Sequence, residues 1–323
     1  MTSKSSAETL VTIYGGSGFL GRHVVRALAR RGYRIRVAVR RPDLAFHLQP
    51  LGRVGQIHAV QANLRYAPSV QAAARDAHVL INLVGILFER GRQSFNSIHV
   101  HGAEQVALAA GAHDARMVHV SAIGADEHSH AVYGRSKAEA ERLVLAALPQ
   151  AVIMRPSVVF GPEDDFFNRF AAFARISPAL PLIGGGETRF QPVFVGDVAE
   201  AIAEAIDGNA KAGTIYELGG PEVKTFAELM RYTLKTIGRK RLLVPVPFFA
   251  AKVKATLLQY WPKPPLTPDQ VELLRSDNVV SGAAKAEGRT LQSFGIEPES
   301  IEAIVPSYLW RFRKTGQFRS RMA

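Results

Sequence analysis

Short apolar runs recur at regular intervals along the first two thirds of the chain, and amphipathic stretches separate them. The runs are rich in β-branched residues, which is typical of strands buried on both faces of a parallel sheet. In order they are Leu10–Tyr14, Ile35–Val39, Ile57–Val60, Val79–Val84, Met117–Val120, Ala151–Arg155 and Thr214–Leu218. This alternation predicts an α/β fold, a doubly wound parallel sheet that binds ligands at the carboxyl ends of its strands.

The pattern becomes less regular toward the C-terminus. We predict a sheet domain over residues 8–160, completed by about 190–220, and a smaller C-terminal lobe from 161–190 and 221–323. Within this lobe Pro178–Gly186 is rich in proline and glycine, so we expect it to be a loop.

A glycine-rich turn, YGGSGFLGR, follows the first strand. Gly15 permits a sharp reversal, Gly18 admits a pyrophosphate, and Gly21 lets the next helix pack against the strand. The amides and the positive dipole end of that helix would face the anion. A plain glycine turn is the alternative, but the strand before it and the helix after it favour a dinucleotide site. The candidate contacts are Gly15, Ser17, Gly18, Phe19, Leu20, Gly21 and Arg22.

The second strand ends in Arg40 and Arg41, with no acidic residue before Asp43. Folds that prefer NAD place a carboxylate here for the ribose 2′-hydroxyl, whereas a guanidinium suits a 2′-phosphate. The pair therefore favours NADP(H) over NAD(H), with Arg40 ahead of Arg41 and Arg22 as a third candidate. The alternative is that both arginines are a solvated strand end.

Tyr133 and Lys137 stand four residues apart at the start of a predicted helix, so they share one face of it. A lysine there binds a ribose hydroxyl and helps the tyrosine to exchange a proton with a carbonyl or hydroxyl group. Ser121 ends the preceding strand and can hold the substrate oxygen. A solvated helix is the alternative, but it does not account for this serine within a dinucleotide fold. The catalytic candidates are Ser121, Tyr133 and Lys137. Tyr133 and Lys137 are also candidate cofactor contacts, as are the strand-end residues Val84 and Gly85.

The chain is strongly basic, with a formal net charge of +12 and a sequence pI of about 10.1. Nucleic acid, an anionic membrane surface or an acidic protein would each suit such a balance. We expect no nucleic-acid partner, because neither a known motif nor a basic platform with interleaved aromatic residues is present.

Cysteine is absent, which excludes disulfides, thiolate metal sites and cysteine nucleophiles. His99 and His101 alternate along the chain, as do His128 and His130, but neither pair has the company of a metal site, so we predict none and expect surface or capping roles for these histidines. The first ten residues lack the apolar core of a signal peptide, and no stretch is long and apolar enough to span a bilayer.

Two C-terminal segments bear on partners. An aromatic and aliphatic run from Phe248 to Trp261 carries Lys252 and Lys254, and it suits a membrane or partner surface as well as an ordinary lobe helix facing the cofactor domain. We expect the tail to contact an anionic membrane surface or an acidic protein, with a solvated tail as the alternative. Its cationic and aromatic residues are Arg311, Phe312, Arg313, Lys314, Phe318, Arg319 and Arg321.

The glycine turn, Ser121 and the pair of Tyr133 and Lys137 together resemble the extended or atypical short-chain dehydrogenases/reductases, which have a Rossmann fold. The resemblance covers about Thr9–Leu229, most of the chain.

This resemblance implies two further contacts with a dinucleotide. The segment RPSVVFGP, with Pro156 and Val158, would pass the nicotinamide. Asn63 and Leu64 would lie at the adenine, where the family usually has aspartate and leucine. Asparagine still hydrogen-bonds the adenine amine, so the departure is small.

Longer stretches are similar to one branch, the NADPH-binding accessory subunits of respiratory complex I and their bacterial homologues. They include VTIYGGSGFLGRHVV, VRRP, INLVGILFE, PSVVFGPEDDFFNRFA and RFQPVFVGDVA. In that branch the nucleotide is regarded as structural, and its members are linked by similarity to ubiquinone-related functions. The resemblance implies complex I subunits as partners and a cytoplasmic protein, peripheral on the inner membrane.

Three functions are compatible with these residues. A structural, nucleotide-holding subunit is favoured by the branch-specific stretches and the basic charge. An active NADP-dependent oxidoreductase or epimerase is favoured by Ser121, Tyr133 and Lys137, which a purely structural site need not keep. The third is a sensor of the NADPH to NADP+ ratio, which the sequence does not distinguish from a structural, nucleotide-holding subunit.

Overall fold

The computed structural model describes residues 5–262 and 264–315. The strands are β1 Leu10–Tyr14, β2 Arg34–Val39, β3 Ile57–Gln61, β4 Val79–Asn82, β5 Arg116–Val120, β6 Val152–Pro156, β7 Val159–Phe160, β8 Ala179–Ile183, β9 Arg189–Phe190, β10 Val193–Phe194, β11 Ile215–Leu218, β12 Lys224–Thr225 and β13 Leu242–Val246. The α-helices are α1 Phe19–Arg30, α2 Ala67–Ala74, α3 His101–Ala112, α4 Val132–Ala147, α5 Phe167–Ile176, α6 Val195–Asp207, α7 Phe226–Thr236, α8 Phe248–Leu258, α9 Pro268–Leu273, α10 Gly282–Ala286, α11 Ile301–Ile304 and α12 Pro306–Leu309. A π-helix, Asn96–Val100, precedes α3.

Seven strands form one sheet in the order β11-β6-β5-β4-β1-β2-β3. Every neighbouring pair is parallel, so the doubly wound fold predicted from the sequence is confirmed. Strands β1, β4 and β5 are neighbours, and their carboxyl ends therefore meet at one edge of the sheet. Gly15, Val84 and Ser121 follow these three ends.

The central strands are buried because they are apolar on both faces, and all five residues of β1 are buried. Small side chains let α3 and α4 share one core cluster with the sheet. Ala103, Ala107 and Ala140 are fully buried there. Tyr14 lies in the same cluster, and its hydroxyl donates to the carbonyl of Val70 at 2.7 Å.

An ion cluster ties the end of α1 to α6. The Arg31 guanidinium contacts the carboxylates of Glu200, Glu204 and Asp207, and the Tyr33 hydroxyl donates to Asp207. The Arg31 side chain is only 19% exposed, so water and salt screen these contacts less than those of a surface pair. A helix from late in the chain is thereby fixed to the domain that the first strands build.

Two compact units divide the chain. The first comprises the described residues up to Pro156, Gly196–Leu218 and Gly282–Ile296; the second comprises Ser157–Val195, Gly219–Ser281 and the described residues from Glu297 onward. The sequence placed 282–296 in the C-terminal lobe. In the structure Arg289 accepts the Glu217 amide and donates to the Ile215 carbonyl, so this segment pairs with β11.

The second unit has its own aromatic core, which contains the buried rings of Phe160, Phe167, Phe190 and Phe226. Its strands form three pairs, β7 with β10, β9 with β12 and β8 with β13. The expectation of a loop over Pro178–Gly186 was wrong. This segment contains β8, whose backbone pairs in parallel with β13.

The beginning of the C-terminal tail is packed within the second unit, contrary to the sequence expectation. Phe312 is 9% exposed, and the guanidinium of Arg313 donates to the Thr236 carbonyl. Arg311 donates to Asn168 at 2.6 Å. The other predicted tail residues, Phe318, Arg319 and Arg321, lie outside the described residues. Between residues 5 and 315, leaving out 263, no helix has the length and apolar character needed to cross a membrane.

Candidate functional site

The glycine turn between β1 and α1 is closely packed. Gly15 has a φ of +83°, in the left-handed region that favours glycine. A Cβ on Gly21 would lie 2.5 Å from the Gly15 carbonyl oxygen and 2.6 Å from Cα of Gly16. Helix α1 begins at Phe19, and its N-cap residue Gly18 offers no side chain to cover the first amides. The turn thus fits a pyrophosphate at a helix N-terminus.

Arg40 and Arg41 are exposed at the end of β2, but their partners differ. Arg41 donates twice to the carboxylate of Asp43, and this hydrogen bonding lowers the pKa of Asp43. Arg40 donates to the neutral side chain of Gln93 at 2.7 Å. In the described part of the chain no carboxylate contacts Arg40, so its charge is the more available of the two for a phosphate.

Asn63 and Leu64 follow β3 and differ in exposure. The Oδ1 of Asn63 accepts the Arg65 amide at 3.2 Å, which holds this half-buried side chain in the turn. Leu64 is 6% exposed and packs against Gly102 in the core cluster. Asn63 is therefore the more accessible member of the pair.

The loop after β4 lies between the glycine turn and the helix residues. A Cβ on Gly15 would be 3.0 Å from Cγ2 of Val84. A Cβ on Gly85 would be 3.6 Å from Nζ of Lys137 and 3.7 Å from Nε2 of His99. Val84 and Gly85 thus connect two groups of predicted site residues that are more than one hundred positions apart in the sequence.

Tyr133 and Lys137 lie on one face of α4, where the ammonium is 5.9 Å from the centre of the tyrosine ring. Lys137 is 5% exposed and donates to the Val120 carbonyl at 3.3 Å. Burial lowers the pKa of Lys137 to about 8, while the charge of Glu141 acts in the opposite direction. The lysine is therefore cationic at neutral pH, beside the end of β5.

His99 is buried, and the expectation of a surface or capping role for it was wrong. Its Nε2 accepts the Ile86 amide at 3.0 Å, so the ring proton lies on Nδ1 and is donated to Ser136 Oγ at 2.9 Å. Ser136 in turn donates to the Tyr133 carbonyl. The His99 ring also meets the Tyr133 ring edge to face at 5.4 Å. Burial, reinforced by the charge of Lys137, lowers the pKa of His99 to about 2.

His119 lies on β5 and Ser121 follows the end of that strand, and the sequence did not predict the surroundings of either side chain. Asn82 Oδ1 accepts the Val84 amide, so its Nδ2 donates to His119 Nδ1 and the ring proton of His119 lies on Nε2. Burial lowers the pKa of His119 to about 3. Within residues 5–262 and 264–315, neither His119 Nε2 nor Ser121 Oγ has a hydrogen-bond partner, although both atoms are buried. Such atoms fit a site that hydrogen-bonds a ligand.

The last two predicted nicotinamide contacts belong to different units. Pro156 ends β6 in the first unit, and its carbonyl accepts the Ile123 amide at 3.0 Å. Val158 belongs to the second unit, and its amide donates to Asn278 Oδ1 at 3.0 Å. The remaining candidates in the glycine turn and the first turn of α1 are half-buried: Ser17, Phe19, Leu20 and Arg22.

Sequence reasoning missed His99, His119 and Asn82. A signal existed for His119, because every second side chain of a strand points to the same face and His119 stands two positions before Ser121. Asn82 and His99 carried no comparable signal, since only their neighbours in space show their role.

The fold and the glycine turn define an α/β protein of the nucleotide-binding reductase and epimerase class. The NAD dependent epimerase/dehydratase family matches residues 11–219, and the chain belongs to this family. Among solved structures, dTDP-glucose 4,6-dehydratase DesIV of Streptomyces venezuelae, with NAD and TYD bound, has the same fold. Its TM-score is 0.71 at 20% identity, over 94% of this chain and 96% of that one.

Two relatives found by sequence similarity have more specific names than the family does. The chain is 37% identical over 327 residues to mitochondrial subunit 9 of the NADH dehydrogenase (ubiquinone) 1 alpha subcomplex of Arabidopsis thaliana. That match covers 97% of this chain and 80% of the relative. The chain is also 32% identical to the ceramide reductase of Caulobacter vibrioides, over 88% of this chain and 90% of that one.

Proposed function

We propose that the chain is an accessory subunit of a membrane-associated NADH:quinone oxidoreductase of the complex I type. It holds NADP(H) as a structural component and has a ubiquinone-related role. The observation that carries this proposal is the similarity to a NADH dehydrogenase subunit over 97% of the chain. The glycine turn supports it, because the N-cap residue Gly18 has no side chain to cover the first amides of α1, where an anion would bind.

The proposed cofactor is NADP(H) in preference to NAD(H). The glycines of the turn would hold the pyrophosphate, and Arg40 would bind the 2′-phosphate, since its charge contacts no carboxylate in the described residues. Asn63 would lie at the adenine, and Lys137 would donate to the nicotinamide ribose. Arg41 contributes less, because Asp43 already binds it.

The proposed partners are complex I subunits and an anionic surface on the cytoplasmic side of the inner membrane. The formal charge of +12 supports an anionic membrane surface or an acidic protein as the partner. Within the tail, Arg311 and Arg313 already bind groups of their own unit. Lys314 and the two more distal arginines, Arg319 and Arg321, are the remaining candidates for this contact.

The decisive experiment is purification from native membranes in a mild detergent. We expect the protein to migrate with NADH:quinone oxidoreductase subunits and to release NADPH, one molecule per chain, on denaturation. Mass spectrometry of the fraction and chromatography of the nucleotide measure both. A protein that migrates alone, or that carries only NAD, would contradict the proposal.

A second function is an active NADP-dependent reductase or epimerase. It is favoured by the Ser121 Oγ, which no described residue hydrogen-bonds, and by the similarity to a ceramide reductase. A bound NADPH would supply the hydride for a carbonyl carbon. Tyr133 would donate the proton to the carbonyl oxygen, Ser121 would hydrogen-bond that oxygen, and Lys137 would keep the tyrosine oriented. The test of this function is whether the protein oxidises NADPH when long-chain ketones are added. Loss of this oxidation in the Tyr133→Phe variant, with NADPH binding retained, would establish the function.

A further inference from the structure

Helix α8 carries an apolar stripe that no other described residue covers. Phe249, Val253 and Leu257 follow one another at intervals of four residues, so they lie on one face of the helix. They are 73%, 63% and 73% exposed. The buried residues of α8 are Ala251 and Ala255, on the opposite face. The helix is therefore seated on its unit through Ala251, Ala255 and the half-buried Phe248, while the three residues of the stripe face outward.

Aromatic and cationic residues border this stripe. Tyr260 and Trp261 follow the end of the helix directly and are 83% and 68% exposed. Lys252 and Lys254 lie on either side of the stripe, and both are exposed. Lys252 contacts Glu272 at 2.8 Å. Aromatic rings and lysines around an apolar face are typical of helices that lie in the headgroup region of a bilayer.

The sequence that contains α8 is strongly basic, and Glu272 of the adjacent helix α9 is already paired with Lys252 and Arg275. Residues 229–268 contain eight Lys and Arg residues and no Asp or Glu. This one segment thus supplies a large share of the net charge of +12. Each basic residue near an anionic leaflet adds to the attraction between the protein and the lipid. An anionic lipid surface therefore complements both the apolar stripe and its surroundings.

We propose that α8 is a membrane-docking helix, whose stripe of Phe249, Val253 and Leu257 enters the headgroup region of an anionic bilayer. Tyr260 and Trp261 lie at the level of the headgroups, and Lys254 binds their phosphates. The inference rests on the proposed function for its setting, a membrane-bound complex, and it identifies the surface that meets the lipid.

The test uses the full chain and sedimented vesicles of equal parts phosphatidylcholine and phosphatidylglycerol. We expect binding that weakens as salt is raised and that pure phosphatidylcholine does not support. The double variant Phe249→Ser and Leu257→Ser should bind at least about tenfold more weakly, because two large apolar side chains are lost. The matched control is the double variant Val54→Ser and Leu108→Ser, which changes two exposed apolar residues of the first unit. This control should bind the vesicles as the parent does.

Tryptophan fluorescence gives a second readout. The chain has two tryptophans, so Trp310→Phe leaves Trp261 as the reporter. A blue shift of Trp261 with anionic vesicles, absent in the Phe249→Ser and Leu257→Ser background, supports the proposal. Equal vesicle binding by the parent and the double variant, no binding at all, or capture of an acidic subunit in place of lipid would overturn it. Retained NADPH and co-migration with complex I subunits would then leave the proposed function standing.

Discussion

His99 and His119 are buried beside a cationic lysine, and this arrangement makes the stability of the protein depend on pH. The pKa values of about 2 and about 3 lie far below the value near 6.5 expected in the unfolded chain. Below pH 6.5 the unfolded state therefore binds more protons than the folded state. The free energy of unfolding should fall as the pH drops from about 6.5 toward 3.

We expect His119→Gln to lose less stability between pH 7 and pH 4 than the parent does, because one buried histidine no longer has to stay neutral. The measurement is the urea midpoint at each pH. His130→Gln, at an exposed position, is the control and should keep the parental slope. If His119→Gln also kept the parental slope, protonation of His119 would not be a source of the acid sensitivity.

Arg40 offers a test of nucleotide preference at a single residue. Arg40→Ala should weaken NADPH binding by about tenfold to a hundredfold and change NADH binding little, since only NADPH has a 2′-phosphate. Calorimetric titration measures both affinities. Arg34→Ala is the matched control, because Arg34 is exposed at the opposite end of the same strand, β2. Equal losses for the two nucleotides would exclude Arg40 as the residue that distinguishes them.

Some residue roles could be predicted from sequence because they depend on local spacing. Gly15, Gly18 and Gly21 belong to one turn, and Tyr133 and Lys137 belong to one helix face. The environment of His119 depends instead on Asn82, a residue of the neighbouring strand and 37 positions away. Without a strand order no local pattern pairs these two side chains, so the buried polar network was not predicted.

At the scale of elements, the junction of β1 and α1 depends on the missing side chain of Gly21. Gly21→Ala should destabilise the protein by about 1–3 kcal/mol and abolish NADPH binding, because its Cβ would overlap the Gly15 carbonyl oxygen at 2.5 Å. Chemical denaturation and nucleotide titration measure the two effects. Gly111→Ala in helix α3 is the control. A Cβ there meets nothing within 4 Å, so this variant should be more stable by about 0.4–1 kcal/mol.

The strands of the large sheet were predictable because each is an apolar run closed by a turn. Strand β8 was missed, since Pro181 interrupts the pattern and its partner β13 follows about sixty residues later. The pairs formed by β7, β9, β10 and β12 have two residues per strand, too few to show any periodicity. The strands of the second unit therefore form through pairing across the chain, and the local sequence did not predict them.

At the scale of the whole molecule, a structural nucleotide should stabilise the fold without being consumed. NADPH at a hundredfold excess over its Kd adds about 2.7 kcal/mol to the free energy of unfolding, which corresponds to a rise in Tm of about 4 °C for a chain of this size. Scanning calorimetry measures the shift, and the absorbance of NADPH during the incubation shows whether any is oxidised. In the Arg40→Ala variant the shift with NADPH should fall to the value that NADH produces.

A stabilised protein that leaves NADPH intact would behave as a nucleotide-holding subunit. A protein that oxidises NADPH when ketones are present, and whose Tyr133→Phe variant keeps the shift but loses the oxidation, would behave as a reductase.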